Sequence, residues 1–121
     1  MKSIFLILAL VTHFTCYAAE EALSLKASAH RIVAIDWTHV ETLLALGVTP
    51  LGIAQTQDYN AWVKEPKIPN GILDLGLRTQ PNLELLAELA PTQILISPMF
   101  SVLTPQLQKI TKVTEIGLYK K

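Results

Sequence analysis

The stretch GLRTQPNLE, from Gly76 to Glu84, decides the fold predicted for this chain. It follows a short apolar run, contains Arg78, and reaches Pro81, a residue suited to the first turn of a helix. In an open α/β sheet, ligands bind in the crevice beyond the carboxyl ends of the strands. An arginine at that place presents a planar, permanently charged fork of donors that suits anionic oxygens. The stretch therefore predicts a strand, an anion-binding loop and a helix in succession.

The same order, an apolar run followed by a helical pattern, repeats along the chain from residue 31 onwards. Five strands are predicted, at residues 31–35, 50–54, 72–75, 93–96 and 113–116. The first is a continuous apolar run, which is typical of a strand buried on both faces. Alternating strands and helices with short connections predict an α/β fold, a parallel sheet with flanking helices and right-handed crossovers.

Three helices are predicted from the signals at their ends. The first begins at a capping box formed by Thr38 and Glu41 and ends at Gly47, a good left-handed stop. The second has Pro81 in its first turn, and the third is capped by Thr104.

The first 19 residues are predicted to be a signal peptide, which leaves residues 20–121 as the mature domain. A positive start at Lys2, an apolar run too short to span a bilayer, and small residues at the peptidase positions predict cleavage after Ala18 or Ala19. The mature protein is then expected in the periplasm. Two alternatives stay open, a buried first helix and a lipoprotein anchored through Cys16.

Charge and cysteine content exclude several classes of function. The chain has ten basic and ten acidic residues, and loss of Lys2 with the leader leaves nine basic residues against ten acidic ones. A nearly neutral domain lacks the excess of basic residues that is typical of nucleic-acid-binding proteins. Cys16 is the one cysteine and lies in the leader, so the mature domain has no thiol for a disulfide, a zinc site or a nucleophile.

Catalytic motifs are not found in the sequence. It has no phosphate-cradling glycine loop, no nucleophile elbow and no helical histidine pair. His30 and His39 are interpreted as solvent-facing, and Asp36 as a helix cap rather than a ligand group. A small α/β enzyme using Asp36, Glu41 or His39 is kept as an alternative, although no nucleophile and base are suitably spaced. We therefore expect a protein that is not an enzyme.

The loops that follow the strands are expected to converge at one edge of the sheet. Trp37 follows the first strand, Tyr59 and Trp62 lie in a polar loop predicted for residues 55–70, and Ser97 begins the loop after the fourth strand. Aromatic side chains outside regular elements can line a partly open apolar pocket. These residues are therefore candidates for ligand contact.

Arg78 is the charged candidate of the same site. Its alternative role is that of a surface arginine paired with a nearby carboxylate. The alternative role of Trp37 and Trp62 is packing of their loops onto the sheet.

The chain resembles the amino-terminal lobe of the periplasmic ferric-hydroxamate-siderophore-binding proteins of bacterial ABC uptake systems, from Arg31 to about Thr111. The long and specific match is the stretch from Gly76 to Leu86. Weaker matches are the segments RIVA at 31–34, LLALG at 43–47, NAWV at 60–63 and EP at 65–66. Together the matching segments extend over nearly all of the mature chain.

The resemblance implies roles for individual residues. Arg78 would contact the hydroxamate oxygens around the iron, and Trp37 and Trp62 would contribute to an aromatic cleft. The position of Phe100 is a tyrosine in the best-known members, so this chain keeps the ring but lacks a hydroxyl that bonds the ligand. Glu84 would be exposed at the tip of the lobe and would dock on an arginine of the permease.

The resemblance also implies a fold and a biological role. Family members have two α/β lobes joined by one long helix, and this chain looks like one lobe, with the second lobe missing. It would act as a monomer that delivers a ferric siderophore to an inner-membrane ABC permease. The iron would be held through its siderophore, with no protein metal ligand and no cofactor. A catecholate siderophore, haem or corrinoid remains an alternative ligand, as does a truncated fragment with no independent function.

Overall fold

The computed structural model describes residues 31–117, which form a five-stranded parallel sheet with helices on both faces. The predicted signal peptide, Cys16 and His30 lie outside the described residues. The strands are β1 (Ile32–Ala34), β2 (Gly52–Ile53), β3 (Leu73–Asp74), β4 (Gln93–Ile96) and β5 (Lys112–Glu115). The helices are α1 (Trp37–Ala45), α2 (Thr56–Trp62), α3 (Leu83–Leu89) and α4 (Thr104–Leu107), with a 3₁₀ helix at Pro98–Leu103 before α4.

The strand order is β3-β2-β1-β4-β5, with every neighbouring pair parallel. From β1 the chain builds the sheet first towards β3, and then returns to the other side of β1 to place β4 and β5. The order therefore reverses between β1 and β4. In open α/β sheets, the crevice at such a reversal is where ligands bind. The loops that follow β1 and β4 begin with Asp36 and Ser97.

The core has two layers, one on each face of the sheet, as the continuous apolar run of β1 predicts. On one face, Val33 packs in a cluster with Leu86 of α3 and Leu107 of α4. On the other face, Ala34 belongs to a cluster with Val40 of α1 and Tyr59 of α2. Consecutive residues of one strand thus reach opposite layers, because successive side chains of a strand point to opposite sides.

The helix beginnings differ from those predicted. The carboxylate of Asp36, not the hydroxyl of Thr38, accepts from the first turn of α1, so this helix starts before the predicted capping box. Pro81 precedes α3, whose cap is Asn82, with its side-chain oxygen accepting from the backbone of Leu85. Thr104 makes no cap bond, since the 3₁₀ helix runs directly into α4 and supplies the preceding turn.

The segment predicted as a polar loop contains α2, and Trp62 is its last residue. The loop that begins at Ser97 likewise contains the 3₁₀ helix. The prediction of a solvent-facing His39 is also wrong. Its ring is buried on α1, and Nε2 lies 3.2 Å from the backbone oxygen of Ile116. Within residues 31–117, no helix is long and apolar enough to cross a membrane.

Candidate functional site

The loop that carries Arg78 is shaped by hydrogen bonds at the end of β3. Gly76 adopts a φ of +83°, a conformation open to glycine, and its N–H donates to Asp74 Oδ1 at 2.7 Å. The other oxygen of Asp74 accepts from the backbone N–H of Thr56 at 2.9 Å and from its hydroxyl, so Asp74 also caps α2. Burial raises the pKa of Asp74, but the bonds from Thr56 and Gly76 outweigh it and hold the pKa below its usual value.

Arg78 lies with its guanidinium stacked on an indole ring. Its Cζ atom is 3.8 Å from the centroid of Trp37 and 5.7 Å from that of Phe100. Both distances fall within the range of cation–π attraction, and Trp37 is the closer partner. The indole is fixed in turn, because its Nε1–H donates to the backbone oxygen of Ala54 at 3.0 Å. A charged fork of donors therefore rests on a ring that cannot swing freely.

Gln55, in the loop after β2, holds Arg78 from the side. Its Oε1 accepts from the backbone N–H of Arg78 at 3.0 Å and, in a longer contact of 3.5 Å, from Nε–H. Sequence reasoning placed Gln55 at the binding edge and assigned it no role. Within the described part of the chain, the side chain of Arg78 thus pairs with a neutral amide and with aromatic rings. It is not paired with a carboxylate, as the alternative role of a surface arginine would require.

Asp36 and Ser97 join the two loops at the reversal of strand order. Ser97 donates its hydroxyl to Asp36 Oδ2 at 2.5 Å, and Asp36 Oδ1 accepts from the N–H of Thr38 at 3.0 Å. Burial raises the pKa of Asp36, yet the bonds from Ser97 and Thr38 prevail and lower the pKa below its usual value. The carboxylate is therefore charged at neutral pH, and it acts as the predicted helix cap.

A groove of about 570 Å³ opens beside these residues. Three of the predicted ligand residues line it, namely Trp37, Arg78 and Ser97. The rest of its lining comes from Asp36, Thr38, Glu41, Val63, Pro98, Met99 and Gly117. The groove is thus a largely aromatic and apolar surface that carries one cation and two carboxylates, and a surface of this kind can hold a bulky, largely apolar ligand.

The other aromatic candidates lie around the groove rather than along it. Tyr59 is fully buried, packs edge-on against Trp37 with centroids 6.2 Å apart, and donates its hydroxyl to the backbone oxygen of Pro66 at 2.8 Å. Tyr59 therefore lies behind Trp37 and does not line the groove. Phe100 is also almost fully buried, below Arg78.

Trp62 is 80% exposed and is not among the residues that line the groove, although the next residue, Val63, is one of them. Trp62 is the last residue of α2, so it is next to a lining residue in sequence without lining the groove itself. Glu84 is exposed in the first turn of α3, on an element that contributes no lining residue. The residue predicted to contact the permease therefore does not line the groove.

Comparison with protein families gives the class that this fold and site define. The model of the periplasmic binding protein family matches residues 32–116. The chain belongs to this family, whose fold it shares: a parallel five-stranded sheet with flanking helices.

Individual relatives are siderophore-binding proteins. The chain is 56% identical, over 63 residues or 52% of its length, to the iron(3+)-hydroxamate-binding protein FhuD of Escherichia coli. Among solved structures it is similar to Fe³⁺–Desferal-bound FhuD of Vibrio cholerae, with 35% identity and a TM-score of 0.70 over 73% of this chain. It also resembles BauB, bound to two acinetobactin molecules and ferric iron, with 27% identity and a TM-score of 0.63 over 74% of this chain.

Each of these matches extends over a minor part of the relative. The aligned segment is 21% of the Escherichia coli protein, and the solved structures are matched over 33% and 31% of their chains. The chain thus spans about a fifth to a third of the length of these relatives.

Proposed function

We propose that this chain is the solute-binding component of an ABC importer, that it binds ferric hydroxamate siderophores in the periplasm, and that it is not an enzyme. The observation that carries the proposal is the guanidinium of Arg78 stacked on Trp37 at the groove. Guanidinium N–H groups form short, charge-assisted bonds to anionic oxygens, and the iron-binding oxygens of a siderophore have that character. The ring beneath the cation offers the apolar surface that the organic part of the ligand needs.

The iron is expected to be held through the siderophore alone. Within residues 31–117, no group of three or more His, Cys, Asp or Glu side chains is placed to hold a metal ion. A hexadentate chelator already satisfies ferric coordination, so the protein would recognise the organic shell. The hydroxamate class is favoured by the identity to the Escherichia coli protein, and a catecholate-type chelate is the alternative.

Delivery to a permease forms part of the proposal. Glu84 is exposed and does not line the groove, so its carboxylate is free to meet a second protein while the ligand is bound. Export is proposed from the leader, and amino-terminal sequencing of periplasmic protein should begin at Ala19 or Glu20. Retention of Met1 would contradict export. The protein is expected to act as a monomer.

Ligand class can be tested with the two tryptophans of the chain, Trp37 and Trp62. In a Trp62→Phe variant the emission comes from Trp37 alone, 3.8 Å from Arg78, so quenching reports on the groove. Ferric Desferal is expected to quench saturably, whereas iron-free Desferal serves as the control and should not. Absence of quenching by ferric Desferal, or saturable quenching by a ferric catecholate alone, would contradict the hydroxamate assignment.

A further inference from the structure

The groove side of the loop after β2 carries a polar residue whose backbone is held in an unfavourable conformation. Gln55 has φ 52° and ψ 58°, in the left-handed region that costs a residue with a Cβ about 1–3 kcal/mol. Its N–H donates to the backbone oxygen of Gly76 at 2.8 Å, and its own oxygen accepts from the N–H of Tyr59 at 3.0 Å. The backbone bonds fix the conformation, and a glycine would satisfy them without the strain. A glutamine at this position therefore indicates a use for its side chain.

That side chain is oriented by a carboxylate. The amide Nε2–H of Gln55 donates to Asp58 Oδ2 at 2.6 Å. Because a carboxylate at neutral pH only accepts hydrogen bonds, the amide nitrogen must face Asp58 and the amide oxygen must face the other way. The oxygen then meets the backbone N–H and Nε–H of Arg78. Asp58, Gln55 and Arg78 thus form a directed chain of bonds that ends on the ring of Trp37.

We infer that Gln55 is a positioning residue that presents the terminal nitrogens of Arg78 to the ligand without placing a further carboxylate beside the guanidinium. The inference rests on the proposed function of the groove. Among the described residues, the hydrogen bonds of Arg78 use its backbone N and its Nε, so the edge formed by Nη1 and Nη2 is the one offered to anionic oxygens. Gln55 therefore determines which edge of the guanidinium of Arg78 contacts the ligand.

The neutrality of Gln55 determines which ligand charge the site accepts. A glutamate has the same length and keeps an acceptor for Arg78, but it would neutralise the guanidinium through an ion pair. A ferric trihydroxamate core has no net charge, whereas a ferric tricatecholate core is strongly anionic. A carboxylate at this position would therefore repel the catecholate complex much more than the hydroxamate complex.

Four variants test the positioning role. Gln55→Met keeps the length of the side chain and removes the acceptor. Gln55→Gly removes both the acceptor and the backbone strain. The glycine variant therefore keeps the test valid if the methionine variant does not fold. Both are expected to lower the affinity for ferric Desferal about tenfold, because the freed side chain of Arg78 must then be ordered when the ligand binds. Gln57→Met, the same change at an exposed position of α2, is the matched control and should stay within about twofold of wild type.

The fourth variant is Gln55→Glu combined with Asp58→Asn, because a glutamate alone would direct a carboxylate oxygen at Asp58 Oδ2, to which the Gln55 amide now donates at 2.6 Å. It should bind ferric Desferal more weakly than wild type, because the ion pair competes with the ligand for the guanidinium, and it should weaken any binding of a ferric tricatecholate by a further factor of about ten. Equal losses for the two chelates would overturn the charge argument.

A spectroscopic signal separates positioning from general stability. In ¹⁵N NMR spectra, the Nε–Hε resonance of Arg78 should exchange slowly in wild type and in the Gln55→Glu/Asp58→Asn variant. It should become fast-exchanging in Gln55→Met and Gln55→Gly, with the rest of the spectrum preserved. If Arg78→Ala binds ferric Desferal like wild type, the proposed function of the groove fails. If Arg78→Ala weakens binding while Gln55→Met and Gln55→Gly leave the resonance and the affinity unchanged, the positioning role alone is wrong.

Discussion

The contact between Asp36 and Ser97 makes a prediction about stability that can be worked out bond by bond. Both side chains are buried, with 8% and 6% of their surfaces exposed. Truncation in Asp36→Ala removes the acceptor of the Thr38 N–H at the start of α1, and the loss of such a cap costs about 1 kcal/mol. It also leaves the buried hydroxyl of Ser97 without its acceptor, which costs a further 1–3 kcal/mol or so. The expected loss is therefore about 2–4 kcal/mol.

Urea unfolding followed by far-ultraviolet circular dichroism at pH 7 measures this loss, with Asp36→Asn as the matched control. Asparagine is a good cap and keeps one oxygen, so it should cost clearly less than alanine. The difference between wild type and Asp36→Ala should also depend on pH. Because the folded-state pKa of Asp36 lies below the unfolded value, its contribution is complete above about pH 4 and is lost as the pH falls through the folded pKa.

A loss below about 0.5 kcal/mol for Asp36→Ala, the size typical of an ordinary surface substitution, would refute this reasoning. So would a difference between wild type and variant that grows as the pH is lowered from 7 to 3. Either result would mean that the link between the loops after β1 and β4 is not a structural element of the site.

Two further predictions concern Gly52 of β2 and the buried Phe100. Gly52→Ala should lower the free energy of unfolding by about 1–3 kcal/mol, because its new Cβ would lie 2.8 Å from Cδ2 of the buried Leu75. Chemical denaturation checks this, and in a double-mutant cycle with Leu75→Ala the coupling should be favourable, whereas additive losses would contradict the clash. Phe100→Tyr should bind ferric Desferal at least as tightly as wild type in a fluorescence titration, since it restores a hydroxyl near Arg78. A more than tenfold weaker affinity would contradict the role given to Phe100.

The sheet was largely predictable from the sequence because its signals are local. Strand β4 occupies the residues predicted for it, and Gly47 has the left-handed φ of +77° expected at a helix end. Helix α2 was missed because one residue, Tyr59, supplies its buried side chain, so no apolar period is visible. Its cap also comes from Asp74, 18 residues away, which no local pattern reveals.

The site was predictable in its members and less so in its contacts. Loops that follow parallel strands meet at one edge of the sheet, which predicted that Trp37 and Arg78 lie together. In the structure, Cζ of Arg78 lies 3.8 Å from the ring centroid of Trp37. Position after a strand could not distinguish an aromatic ring that lines the groove from one that packs behind the lining residues, as Tyr59 does. Nor could it give Gln55 a role, because that role depends on a left-handed backbone and on the direction of an amide.

The central claim is that Arg78 holds the ligand, and the most direct test compares the ferric Desferal affinity of wild type with that of Arg78→Ala. Loss of a charge-assisted hydrogen bond should weaken binding by roughly 1.5–3 kcal/mol, about ten- to a hundredfold, with little change in melting temperature. Arg78→Lys should restore binding only in part, because a point ammonium lacks the planar fork. If Arg78→Ala is folded and binds ferric Desferal as wild type does, Arg78 is a surface residue and the account is wrong.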